Sequence, residues 1–193
     1  MQKAGLASLA FFYFDFREDQ KKDLRGLLSS LLVQLCDQSD AYFKMLFEFY
    51  SEHGHAERLR RPSDDALVGC LKDLLKLPRL PPVYLIMDAL DECPNISSIP
   101  SPRAEVLNLI EELIKSQFPN LRICVTSRPE TDIKDVFDSL TSHQVTLEDE
   151  SGQKTDIANY IVSVVNTNPN SERWKAEDKQ LAINYLTEKA DGM

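Results

Sequence analysis

The sequence predicts an α/β domain built on a parallel sheet, and two observations carry the prediction. Three strand-length apolar runs, "ASLAFFYFDF", "VYLIM" and "LRICV", are separated by segments that repeat Leu and Ile at helical spacing. A strand–helix–strand–helix–strand order folds into a parallel sheet through right-handed crossovers.

The elements follow in order. Residues 7–16 form an aromatic-rich run, as expected of a strand covered on both faces. "KKDLRGLLSSLLVQLC" then places Leu24, Leu27, Leu28, Leu31, Leu32 and Leu35 on one stripe, an amphipathic helix. A second helical patch is expected around Tyr42–Tyr50, with "SEHGHAERLRRP" as a loop. Ser63 has the character of an N-cap, and Asp64 and Asp65 sit in the first turn, where negative charge suits the helix dipole. That helix runs to about Leu77 and stops before "PRLPP".

Strand 83–87 comes next, followed by the Pro- and Ser-rich loop "CPNISSIPS". Ser101-Pro102 opens another helix by its cap-plus-Pro signature, with Val106, Leu107, Leu109, Ile110, Leu113 and Ile114 as its core face. "LRICVTSRPE" is a second buried strand that ends in polar residues, and a short strand is expected at His143–Leu147. From Gln153 onward the pattern is helical, with Ser171 and Gly192 as cap and stop. The expected division is therefore an α/β domain over 1–150 and the start of an adjoining helical domain over 151–193.

Composition narrows the function. A chain of 193 residues with 42% hydrophobic and 27% charged residues can bury a core and is not a disordered segment. Its net charge of −9 argues against a nucleic-acid partner, whose phosphates need clustered Lys and Arg. Four cysteines without a CxxC pair predict reduced, mostly buried thiols in a cytoplasmic protein. "MQKAGLASLAFFYF" loosely mimics a signal peptide, but it passes into "DFRED" without a cleavage site. It is also too short to cross a bilayer, so no membrane partner is expected.

The chemistry concentrates in "VYLIMDALDEC", where an apolar strand runs into Asp88, Asp91 and Glu92. Three carboxylates this close repel one another unless a cation sits among them. A strand-end Asp88 suits Mg²⁺, which keeps most of its waters and takes one or two carboxylates. Asp91 and Glu92, in the loop just beyond, suit the orientation of an attacking water. Ala89 leaves room for a ligand. The alternative is an acidic loop that caps the next helix.

Arg128, after Thr126 and Ser127, ends the neighbouring strand and so faces the same crevice, because ligands of such sheets collect beyond the C-terminal strand ends. Its guanidinium suits a terminal phosphate or, failing that, pairing with the three carboxylates; the purely structural form of that pairing is a salt bridge to Asp88 or Glu92. "EHGHAE" offers His53, His55, Glu52 and Glu57 as metal donors but suits a polar loop better; His143 and Trp174 suggest structural roles.

"YLIMDALDE" (84–92, within the segment 83–92) resembles the Walker B box of NACHT-type P-loop NTPases, which carry a small residue after the metal-binding Asp and an acidic pair two positions further on. "LRICVTSRPE" (121–130) is similar to their sensor-1 strand. "LASLAFFYFDF", "DDALVGCLKDLL" and "LTEKADGM" look like fungal proteins of this group, often described as nephrocystin-3-like N-terminal domains. The resemblance implies a partial P-loop NTPase core over 1–150, with Asp88 as metal ligand and Asp91 and Glu92 as catalytic carboxylates. It also implies Ser127 and Arg128 as contacts to bound ATP or GTP with Mg²⁺, and protein partners or self-association through the module.

The family's Walker A loop, GxxxxGK[ST], is not among these residues; none of the six glycines precedes Lys-Ser or Lys-Thr. By the family's sheet order, the strand preceding that loop would lie between the sensor strand and the last one. The chain is therefore expected to be a fragment beginning after that loop. Three functions follow as expectations. One is a fragment of a signalling or self-recognition NTPase. Another is an interaction module that has lost nucleotide binding, and the last is a phosphohydrolase that uses the carboxylates without a P-loop.

Overall fold

The computed structural model describes residues 6–54, 61–78, 81–97, 99–140, 142–145, 151–171 and 173–190. The chain divides into two compact units, 1–141 and 142–193. Unit one carries three strands, β1 (Ser8–Tyr13), β2 (Val83–Asp88) and β3 (Leu121–Val125). All pairings are parallel, as the alternation predicts, and the order is β1-β2-β3, so β2 is central. Its helices are α1 (Leu24–Cys36), α2 (Asp40–Gly54), α3 (Asp64–Lys76), α4 (Pro102–Lys115) and α5 (Thr131–Phe137).

Local chemistry explains the helix starts. Ser63 and Ser101 accept from the N–H groups of Ala66 and Ala104, both at 3.2 Å, and Pro102 sits where no amide proton is needed. Asp23 caps α1 by accepting from Gly26 N–H at 2.8 Å. A Cβ at Gly26 would stand 2.1 Å from the Gln20 carbonyl oxygen, so the close entry of the chain into α1 requires glycine. α2 extends to Gly54, so Ser51–Gly54 is helical where a loop was expected; the rest of the His53–Glu57 cluster lies outside the described residues.

The core lies on one face of the sheet. Ala10 and Phe12 of β1, Val83, Leu85 and Met87 of β2, and the leucine stripes of α1, α3 and α4 form one buried cluster. The opposite face is largely bare: Phe11, Tyr13 and Tyr84 are 47%, 56% and 40% exposed, and Arg122 and Cys124 are exposed too. This corrects the expectation that residues 7–16 are covered on both faces. The apolar character of Phe11 and Tyr13 is real, but among the described residues the helices bury the alternate set, Ala10 and Phe12.

The two edges also differ. Bonds from Ser8 N–H to Pro82 and from Phe14 N–H to Asp88 turn the even-numbered residues of β1 toward β2, so Leu9 and Phe11 face outward. Gln34 of α1 and Gln38 in the turn just after it bond them with their carboxamides: Gln38 and Gln34 accept from the strand N–H groups (2.9 and 3.1 Å) and donate to the strand carbonyls (2.7 Å in both). These side chains close the edge as a further strand would.

Unit two holds α6 (Ser151–Thr167) and α7 (Ala176–Lys189). Ser171 does not cap α7; it is buried, and the one proton of its hydroxyl is shared between the carbonyls of Val165 and Asn168 (2.5 and 2.8 Å). Trp174 is half exposed. His143–Val145 have no regular structure, and the remainder of the strand expected at 143–147, with Gly192, lies outside the described residues. Among the described residues no helix is long and apolar enough to cross a membrane.

Candidate functional site

The C-terminal ends of β2 and β3 are neighbours, so the residues just past each strand share one rim. Asp88 ends β2, opposite Tyr13 of β1. Ala89 then adopts a left-handed backbone (φ 55°, ψ 47°), a conformation that costs a residue with a Cβ about 1–2 kcal/mol. Thr126 sustains it. Its hydroxyl accepts from Ala89 N–H at 3.0 Å, and its carbonyl accepts from Leu90 N–H at 3.0 Å. The same hydroxyl donates to Asp88 Oδ1, so its one proton points at the carboxylate. Thr126 is thus the residue that joins the two strand ends, a role its place beside Arg128 did not disclose.

Leu90–Glu92 form one 3₁₀ turn. Asp91 does not stand free beside Asp88. Its side chain is only 10% exposed, its Oδ1 accepts from Arg128 N–H at 3.1 Å, and its Oδ2 lies 3.5 Å from Arg128 Nε. The Arg128 side chain is 83% exposed. Arg128 therefore pairs with Asp91, rather than with Asp88 or Glu92 as the salt-bridge alternative held. Ser127 donates its hydroxyl to the Arg128 carbonyl at 2.6 Å. Glu92 is half-buried; its backbone N–H donates to the Ala89 carbonyl at 2.9 Å, while its carboxylate accepts no hydrogen bond from a described residue, although its charge helps to hold Arg17 protonated. The Asp15 carboxyl, which accepts from the Arg17 guanidinium at 2.9 and 2.7 Å and from the Arg17 backbone N–H at 2.9 Å, is pulled down to about 2.

The three carboxylates are dispersed, so the repulsion inferred from their spacing is relieved locally. Among the described residues no group of three or more His, Cys, Asp or Glu side chains is placed to hold a metal ion. Asp88 offers one oxygen that accepts no hydrogen bond from a described residue. That donor set does not make a protein cage; it fits a Mg²⁺ ion that keeps its waters and arrives with phosphate oxygens.

Beside this rim lies a cleft of ≈ 310 Å³ lined by Phe16, Asp91, Glu92, Cys93, Arg103 and Arg128, among others. Arg103, which sequence reading passed over, is 7% exposed and belongs to the first turn of α4. An arginine at the start of a helix carries no signal of burial; only the fold brings it under the acidic turn.

A parallel sheet in which the central strand and its β3 neighbour lead into a carboxylate and an exposed arginine at the same end defines an α/β domain with a polar strand-end crevice. The nephrocystin 3 N-terminal family model matches residues 1–128. The chain belongs to that family, and the matched span takes in all three strands and reaches Arg128. No curated protein and no solved structure matches it.

Proposed function

We propose that this chain carries the metal- and terminal-phosphate-facing half of a NACHT-type nucleoside triphosphatase site, acting with Mg²⁺ on ATP or GTP in a signalling or self-recognition protein. The observation that supports it is the adjacency of β2 and β3, which puts Asp88 and Arg128 at the same end of neighbouring parallel strands. When bound, Mg²⁺ would neutralise charge on the phosphates. Asp88 would hold it through the oxygen that Thr126 leaves open.

Glu92 is the carboxylate left to orient water, because Asp91 is committed to fixing Arg128. The exposed Arg128 guanidinium reaches outward for the terminal phosphate, with Ser127 beside it. Partners are other proteins or further copies, met through the same module in the cytoplasm.

The 193 residues contain no GxxxxGK[ST] loop. Such a loop supplies several amide contacts and a Lys, and charged hydrogen bonds contribute about 1.5–3 kcal/mol each. The chain by itself is therefore expected to bind triphosphate more weakly than micromolar and to hydrolyse it at no appreciable rate. Calorimetry should detect weak, Mg²⁺-dependent ATP binding that Asp88→Asn and Arg128→Ala each reduce. Binding that ignores Mg²⁺ and both substitutions would remove the proposal. It would favour the second reading, an interaction module without nucleotide chemistry, for which the self-satisfied Asp91–Arg128 pair is the supporting observation.

A further inference from the structure

We infer that Arg103 is the positioning residue of this crevice: it ties the acidic turn to the β3–α5 segment, so that Asp91 and Arg128 keep their register. The functional importance of that register rests on the triphosphate reading above.

The guanidinium works on both sides at once. Its Nε donates to the Cys93 carbonyl at 2.8 Å and its Nη2 to the Asp91 carbonyl at 2.5 Å, fixing two peptide planes of the turn with one rigid fork. On the other side Nη1 lies 3.3 and 3.4 Å from the two carboxylate oxygens of Asp132, and 3.8 Å from Glu130 Oε2. Asp132 lies in the first turn of α5 and also accepts from Asn95 Nδ2 at 3.0 Å. The backbone N–H of Arg103 donates to the Pro94 carbonyl at 3.2 Å, stitching the loop after the turn to the start of α4.

A guanidinium this buried persists only where its donors are met, and here they are met by the two segments that form the rim. The chain of contacts runs Asp132–Arg103–Asp91–Arg128, ending in the Asp91 carboxylate that holds the Arg128 amide. A lysine at 103 would keep the charge but lose the planar fork. The turn could then drift against β3 while the sheet stays intact.

Amide hydrogen exchange by NMR tests this on the whole chain without any ligand. In Arg103→Lys, the Arg128 amide should exchange at least about tenfold faster, the effect of losing one charge-assisted hydrogen bond, while the Leu85 amide in β2 keeps its rate. Should that variant fail to fold, Asp132→Asn loosens the same clamp from its exposed side. It should give the same pattern at smaller size.

Arg128 exchange that is unchanged, or that rises only in step with Leu85, would overturn the inference and leave Arg103 as general core support. ATP titration of the same variants separates the two ideas. Mg²⁺-dependent binding that weakens alongside the Arg128 effect supports both. An Arg128 effect with no Mg²⁺-dependent binding in the parent chain overturns the triphosphate reading while the clamp stands.

Discussion

The body of β2 and its C-terminal end lie a few residues apart and are held by different forces. Leu85 is fully buried among side chains of α1, α3 and α4, in a cluster that is apolar throughout. Three positions on, Asp88 begins a rim in which a carboxylate, a left-handed alanine and a threonine hydroxyl are lashed together by individual hydrogen bonds. The body asks only for volume and apolarity. The rim asks for particular atoms in particular directions, and it keeps a backbone conformation that costs stability. Sites are expected where local preference is overridden in this way.

The largest contrast should appear within β2 itself. Leu85→Ala is expected to lower unfolding free energy by about 2–5 kcal/mol, the range for a leucine lost from a packed core. Tyr84→Ala, on the bare face, should cost less than about 1 kcal/mol. Urea titration compares them, and equal losses would mean that the second face is covered after all.

At the rim the sign should reverse. Ala89→Gly removes left-handed strain of about 1–2 kcal/mol and loses about 0.5–1 kcal/mol to the greater freedom of glycine in the unfolded chain. The net expectation is unchanged or raised stability, by no more than about 1.5 kcal/mol. A clear drop in melting temperature would show that Ala89 is not strained.

The smallest effect separates thiols. Burial pushes Cys36 and Cys70 up to about 11 and Cys93, next to the rim, up to about 12, whereas Cys124 on the bare face is exposed. A thiol raised in the fold contributes stability that is fully present below its ordinary value of 9.0 and is lost as pH rises through 11 to 12. At pH near 8, a thiol-specific disulfide reagent should therefore modify Cys124 rapidly and the other three slowly. The slow three should become reactive together as strongly alkaline conditions open the core. Fast modification of Cys93 at neutral pH would place the rim in motion.

What was legible in the sequence was local. Caps at Ser63 and Ser101, the leucine stripe of α1 and the apolar runs of β2 and β3 each depend on residues within a few positions of one another, and all stand in the fold. The shared end of β2 and β3 was legible for the same reason, because one helical crossover separates the strands. The one-sided sheet was not. Phe11, Tyr13 and Tyr84 look like core residues on composition, and only the placement of the helices decides which alternate set is buried.

Nor could spacing show that Asp91 would pair with an arginine 37 residues away, or that Gln34 and Gln38 would close the edge of β1 rather than face solvent. Arg103 and Thr126 belong to the same class. Their partners are chosen by tertiary geometry, and nothing in their own neighbourhood in the chain announces it.

The central claim is that a divalent ion and a triphosphate meet at the shared end of β2 and β3. Mn²⁺ added with ATP offers the most direct test, because its paramagnetism broadens nearby amide signals. The strongest broadening is expected at Asp88, Ala89 and Thr126, dependent on ATP and largely lost in Asp88→Asn. Broadening centred instead on the acidic helix faces, such as Asp64–Asp65 or Glu111–Glu112, with the rim unaffected, would contradict it.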